Sequence, residues 1–178
     1  MNRKLKLDEL NRVSVKEFKS QKKLPIIVVL DNIRSLNNVG SFFRTSDAFN
    51  IEAVYLCGIT AQPPHREIQK TALGATESVE WKYFETAEQA LDQLKKKKFL
   101  IYAIEQTENS IYLQEVTYNL EKVALIFGNE VDGVGQNVIN LSKNSIEIPQ
   151  FGTKHSLNVS ISYGIVLWHF ASQTLKGL

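Results

Sequence analysis

Four short apolar runs constrain this fold more than any other feature: LPIIVVLD (24–31), AVYLCG (53–58), FLIYAIE (99–105) and VALIFG (123–128). The first is rich in β-branched residues, and all four lack the polar alternation of a half-solvated strand, so they read as strands covered on both faces. Segments of helical spacing lie between them. VGSFFRTSDAFN follows a polar loop, NIRSLNN, and carries Phe42, Phe43 and Phe49 on its apolar side, with Asn50 as C-cap. HREIQKTAL is closed by Gly74, and AEQALDQLKKKK is capped by Thr86. SVEWKYF (78–84) is strand-like, and a further helix is predicted over 136–141. Strands alternating with helices give an α/β fold, a mostly parallel sheet flanked by helices. Ligands in such sheets sit at the carboxyl ends of strands. Three polar or glycine-bearing loops, 31–40, 128–135 and 149–156, all follow strands. They are therefore expected to converge on one site.

With 178 residues, 43% hydrophobic and 22% charged, the chain has the size and composition of one soluble domain. No apolar run approaches the roughly 20 residues of a membrane helix, and MNRKLKLDEL lacks the apolar core of a secretory signal. Cys57 is the sole cysteine, which leaves no disulfide. A cytoplasmic protein is expected. Charge is uneven: residues 1–25 hold eight basic and three acidic side chains, a local +5 in a chain whose total is +2. Residues 1–23 are thus read as a basic helical arm, with a Ser14–Glu17 capping box, before a domain over 24–178. Such an arm suits a polyanion as well as it suits solvent. Lys95 to Lys98 close a helix, where cations complement the macrodipole.

The segment from Ile146 to Phe170, IEIPQFGTKHSLNVSISYGIVLWHF, joins a short strand to a turn, a polar loop and a long apolar helix. A helix apolar on most sides is expected to be buried. Ser156, Asn158, Ser160 and Ser162 at its start then need partners, because an unpaired buried polar group costs about 1–3 kcal/mol. A ligand, a second subunit or another glycine loop would supply them.

Familiar signatures fail here. GxxxxGK[ST] is absent, and Gly133-Val-Gly135-Gln-Asn-Val138 lacks the third glycine of a dinucleotide fingerprint. His65, His155 and His169 have no metal-ligand spacing, and no nucleophile elbow surrounds His155-Ser156. No metal is called for. What remains works in combination: Asn38-Val-Gly40-Ser-Phe-Phe-Arg44, then Phe127-Gly128-Asn129-Glu130, then Ile148-Pro149-Gln150-Phe151-Gly152 with Ser156-Leu157-Asn158. In this order and spacing they resemble the three motifs of the SpoU/TrmH branch of the SPOUT RNA methyltransferases, over about residues 25–172.

The resemblance implies an α/β fold with a deep C-terminal trefoil knot, a homodimer, and S-adenosylmethionine-dependent methyl transfer to a ribose 2′-hydroxyl of tRNA or rRNA. Matched residue by residue, Gly128 and Asn129 fall in the second motif's cofactor loop. There, missing side chains would let backbone amides approach the ligand. Ile148, Gln150 and Leu157 fall in the third motif, and Ile104 and Glu105 match a further cofactor-lining position. Arg44 matches the first motif's arginine. An arginine is essentially always protonated, so its role is to hold a phosphate and place the 2′-oxygen rather than to act as a base. Its local alternative is an ion pair with Asp47. Asn38 would hold the loop or Arg44, while Glu130, Ser156 and Asn158 would organise the site. The family's longer N-terminal RNA-binding domains and C-terminal extension have no counterpart in this sequence, which leaves the RNA open. Rival readings are a SPOUT-fold base methyltransferase, a non-catalytic RNA-binding module and, more distantly, a dinucleotide-binding oxidoreductase.

Overall fold

The computed structural model describes residues 2–10 and 12–175. Seven strands form one sheet: β1 (Leu24–Asp31), β2 (Ile51–Cys57), β3 (Trp81–Phe84), β4 (Leu100–Ile104), β5 (Ile111–Tyr112), β6 (Val123–Phe127) and β7 (Asn144–Glu147). Every pairing is parallel, in the order β3-β2-β1-β6-β4-β7-β5. The pleat divides the central strands between two cores. Ile26, Val28, Leu30, Leu125 and Phe127 face one side, and Ile27, Val29, Ala124 and Ile126 face the other. That double burial is why these strands are apolar throughout.

Helices cover both faces. On the first lie α2 (Leu36–Ala48), α3 (Arg66–Ala72), α4 (Ala75–Ser78) and α7 (Val159–Thr174). On the second lie α5 (Ala87–Lys96) and α6 (Gln136–Leu141). At the N-terminus, α1 (Val15–Ser20) begins with the expected Ser14–Glu17 capping box. Its Phe18 joins the first core, and Lys23 Nζ bonds both the Phe18 carbonyl and Asn50 Oδ1 at 2.6 Å.

β6 enters between β1 and β4, and β7 between β4 and β5. The loops that leave these two late strands therefore emerge on either side of β4 at the sheet's carboxyl edge. This strand order is compatible with the trefoil threading that the family resemblance implies. An aromatic cluster holds the same region together. Phe42 of α2 stacks on Tyr163 of α7 with centroids 4.4 Å apart, and Phe127 of β6 meets both rings edge-on at 5.4 and 5.3 Å. Tyr163 is fully buried, and its hydroxyl pairs with Ser46 Oγ at 2.8 Å, so no polar atom is stranded there.

Several sequence expectations shift. α2 begins at Leu36, inside the segment read as a polar loop, because Ser35 caps it by accepting from the Asn38 N–H. Asn50 lies just past that helix with φ 51°, while Phe49 takes the cap position itself. Residues 75–78 turn into α4, so only 81–84 of the SVEWKYF segment is strand. The short β5 carried no signal. The last helix is not buried on all sides: Ile161, Ile165 and Trp168 are 57%, 39% and 54% exposed along one face. Its small polar residues are satisfied within the chain instead, as described next.

Candidate active site

Two of the three polar loops meet at Glu130, just beyond β6, and the third is joined to it through Asn38. Its carboxylate accepts from the Arg34 N–H at 2.9 Å, the Ser35 N–H at 3.0 Å and Asn38 Nδ2 at 2.9 Å. Burial alone would raise its pKa, but these bonds and one from its own N–H together hold it below the ordinary carboxylate value. Asn38 passes the connection on: its Oδ1 accepts from Asn158 Nδ2 at 3.2 Å. Asn158 Oδ1 in turn caps α7, accepting from the Ser160 and Ile161 N–H groups and from Ser160 Oγ. Only one orientation of each amide satisfies this chain of bonds. Asn158, Ser160 and Ser162 are thus partnered by a cap and by α2, Ser156 lies exposed ahead of the helix, and what stays unpartnered on α7 is apolar.

Beside this network lies a cavity of about 500 Å³ at the carboxyl ends of β4, β6 and β7. Its lining includes Ile104, Glu105, Gly128, Asn129, Ile148, Gln150 and Leu157, together with Glu130, Ser156 and Asn158. The seven residues expected to meet a cofactor thus border one cavity. Ile146, Val134 and Val159 add apolar wall. Four carboxylates, Glu105, Glu130, Asp132 and Glu147, line the cavity, and among the described lining residues there is no lysine, arginine or histidine.

The structure gives some of these residues work the sequence did not suggest. Gly128 lacks a side chain because the loop folds back on it: a Cβ there would lie 2.1–2.2 Å from the backbone of Gly133 and Val134. Asn129 and Gly133 close that fold-back with two backbone bonds of 3.0 and 2.9 Å, and Gly133 supplies the positive φ of 68°. Asn129 spends its own side chain on the protein, Nδ2 donating to the Asn32 carbonyl and Oδ1 accepting from the Val131 N–H, each at 2.8 Å. Glu105 clamps the same loop, accepting from the Val134 and Gln106 N–H groups at 2.9 Å. A ligand can therefore meet Asn129 through its backbone.

Asn38 and Arg44 do not line the cavity. Asn38 is tied to it through Glu130 and Asn158, whereas Arg44 lies six residues further along α2, about 9 Å up the helix axis. Arg44 is exposed and makes no hydrogen bond or ion pair among the described residues. Asp47, its expected local partner, instead accepts a short hydrogen bond from Ser78 Oγ. The glycine of the same motif has a packing role: a Cβ on Gly40 would lie 2.0 Å from Thr71 Oγ1 and 2.3 Å from the Ile68 carbonyl of α3. Sequence reasoning missed Gln106, whose Nε2 donates to the His155 carbonyl at 3.1 Å across the cavity's rim. It also missed Asp132 and Gly133. The paired glycines of 128–135 were the available clue, set aside there as a failed dinucleotide fingerprint.

The SpoU rRNA Methylase family matches residues 25–168. This chain belongs to that family. Among curated members, the tRNA (guanosine(18)-2′-O)-methyltransferase of Aquifex aeolicus is 30% identical over 163 residues, 89% of this chain and 74% of its own length. The Thermus thermophilus enzyme of the same name is 27% identical, over 94% of this chain and 85% of its own. The crystal structure of the A. aeolicus TrmH/SpoU tRNA modifying enzyme superposes with a TM-score of 0.81 at 26% identity, covering 91% of this chain and 81% of that one. An AdoMet-bound rRNA methyltransferase from Sinorhizobium meliloti gives 0.75 at 25% identity, over 86% and 61%. The family match reaches every strand of the sheet and the loops after β6 and after β7 that line the cavity.

Proposed function

We propose that this SpoU-family chain methylates a ribose 2′-hydroxyl of tRNA or rRNA with S-adenosylmethionine as donor, acting as a homodimer. The observation that carries the reading is the cavity's charge. A dinucleotide brings a pyrophosphate and needs cations or a helix N-terminus. This cavity offers four carboxylates and no cationic side chain among its described residues, and at the α7 N-terminus on its edge the Ser160 and Ile161 N–H groups are already taken by Asn158 Oδ1. It suits a ligand that is itself cationic, and about 500 Å³ with apolar walls is the scale of a small-molecule site. Bound there, the cofactor supplies an electrophilic methyl group on a positively charged sulfur.

The chain's own residues do the rest. Ile104, Ile146, Ile148 and Leu157 would pack against an adenine, with backbone groups around Ile148, Gln150 and Leu157 meeting its polar edge. The doubled-back loop at Gly128–Asn129 presents backbone to the ligand, and Glu105 keeps that loop in place. Glu130, Asn38 and Asn158 hold the start of α2 against the mouth, and Ser156 lies on the same rim. Arg44, permanently charged and without an internal partner among the described residues, holds a phosphate next to the target ribose. Such placement contributes several kcal/mol toward the barrier, on the order of what oriented reactants gain. The exposed Ile161–Ile165–Trp168 face of α7 is covered by a second copy, so that Arg44 of one subunit serves the cavity of the other. Two of the relatives named above are tRNA guanosine-18 2′-O-methyltransferases, and a 23S rRNA guanosine 2′-O-methyltransferase is 26% identical over 170 residues. Either RNA is therefore a candidate.

The test is transfer of labelled methyl from S-adenosylmethionine to total tRNA and, separately, to rRNA, followed by digestion to nucleosides. Label is expected in a 2′-O-methylnucleoside from one pool, and Arg44→Ala should lower transfer at least about a hundredfold while leaving cofactor affinity unchanged. Label on a base would refute ribose specificity. Cofactor binding without transfer to either pool would support the non-catalytic module.

A further inference from the structure

Phe151 is 98% exposed, the highest value among the described large apolar side chains. Fully exposing a phenylalanine forgoes about 1.5–3 kcal/mol of burial. Its position is specific. Gln150 on one side and Ser156 on the other both line the cavity, so Phe151 stands at the rim that an incoming ribose must pass. The loop that presents it is anchored beyond it, by Gln106 Nε2 on the His155 carbonyl at 3.1 Å and by Asn158 Nδ2 on Asn38 Oδ1 at 3.2 Å. Residues 151–158 are otherwise exposed throughout.

The charge around the ring points to one kind of occupant. From Ile148 to the end of the chain the sequence contains no aspartate or glutamate, while Lys154 and His155 follow Phe151 on the same loop. Four carboxylates line the cavity behind, whereas this loop carries none. An exposed aromatic ring on a loop that also carries a lysine and no carboxylate is the combination that holds unpaired nucleotides: the ring stacks a base and the cation meets a phosphate. We infer that Phe151 is a stacking platform for an unpaired RNA base flanking the methylated nucleotide. This rests on the methyltransferase reading above and adds what that reading leaves open: the target ribose lies in a single-stranded or looped segment. A phenyl ring has no hydrogen-bonding group, so it selects for an unstacked base rather than for one of the four.

The experiment compares wild type, Phe151→Ala and Phe151→Trp. Steady-state methylation of the accepting RNA pool should show a KM for RNA raised about tenfold in Phe151→Ala, the scale of one lost base stack. The Kd for S-adenosylmethionine should be unchanged, and Phe151→Trp should restore the KM. In Phe151→Trp, indole fluorescence above the wild-type background of Trp81 and Trp168 should be quenched by single-stranded oligouridylate and much less by an RNA duplex of equal length. A normal KM for RNA in Phe151→Ala, or a weakened Kd for the cofactor in its place, overturns the inference. So does a fall to monomer mass in Phe151→Ala by light scattering, which would give the ring to a second copy of the chain. Wild type that methylates neither RNA pool while the Phe151→Trp indole is still quenched would sink the methyltransferase reading and leave the platform standing.

Discussion

Two carboxylates near the carboxyl ends of adjacent strands are held in opposite ways. Glu130, past β6, collects backbone N–H groups and the Asn38 amide, which favour its charged form. Asp31, the last residue of β1, is 6% exposed, and burial pushes its pKa up, with Glu88 adding to the rise. Bonds from the Gly135 N–H and Asn32 offset this only in part. A carboxyl raised in the folded state stabilises the fold most below its unfolded pKa, and that contribution is lost as pH rises through the folded value. At neutral pH Asp31 therefore weakens the fold. Asp31→Asn keeps an oxygen acceptor without the charge, so its melting temperature should exceed wild type at pH 7, and the gain should shrink as pH falls and both side chains become neutral. Glu130→Gln should behave in the opposite sense, since a lowered pKa adds stability above the unfolded value that is lost as pH falls through the folded one. Thermal melts of the two variants across pH 3.5–7.5 (about the range bracketing carboxylate titration) decide both signs.

At the scale of elements, the α2–α3 contact depends on a single missing side chain. Gly40 sits under α3 so closely that a Cβ would strike Thr71 Oγ1, the Ile68 carbonyl and, at 3.0 Å, the Ala72 nitrogen. Two of those atoms are backbone and cannot rotate away. Gly40→Ala should therefore cost about 1–3 kcal/mol, the range for overpacking, seen as a lower urea midpoint, and trimming Thr71 to Ala alongside it should recover only part of the loss. The sequence marked Gly40 as a motif residue, yet no periodicity could show that its neighbour would be a second helix. The same division runs through the molecule. β1, β6 and α6 were legible because continuous apolar runs and a short helical pattern after a turn glycine are local signals. The start of α2 was not, because the competing polar residues of NIRSLNN outweighed one serine cap. The convergence of three loops was foreseeable from strand ends. That Glu130, Asn38 and Asn158 would join in one chain of bonds, across 92 and 120 residues of sequence, was not. Partners so distant are set by strand order, and the insertion of β6 and β7 leaves no mark on composition.

For the whole molecule, the separation of Arg44 from the cavity is the feature with the widest consequence. All seven expected cofactor-lining residues share one cavity, while Arg44 stands apart, exposed, on a helix packed against α7. On α7 itself, Ile161, Ile165 and Trp168 form an apolar face too exposed for a finished surface. A two-fold dimer that buries this face would use the same patch on both chains and bring α2 of each subunit toward the other. If each site is then built from the cavity of one chain and Arg44 of its partner, two inactive chains can repair one another. Arg44→Ala keeps an intact cavity. Gln150→Trp crowds the cavity and keeps its arginine. Each homodimer should be silent, whereas a mixed dimer has one site with both parts intact and one with neither. Random re-pairing of equal amounts makes half the dimers mixed, with half their sites working, so roughly a quarter of wild-type methyl transfer should return. Sites completed within one chain would give no recovery at any mixing ratio, and the arginine would then have to reach its own cavity by a movement of α2.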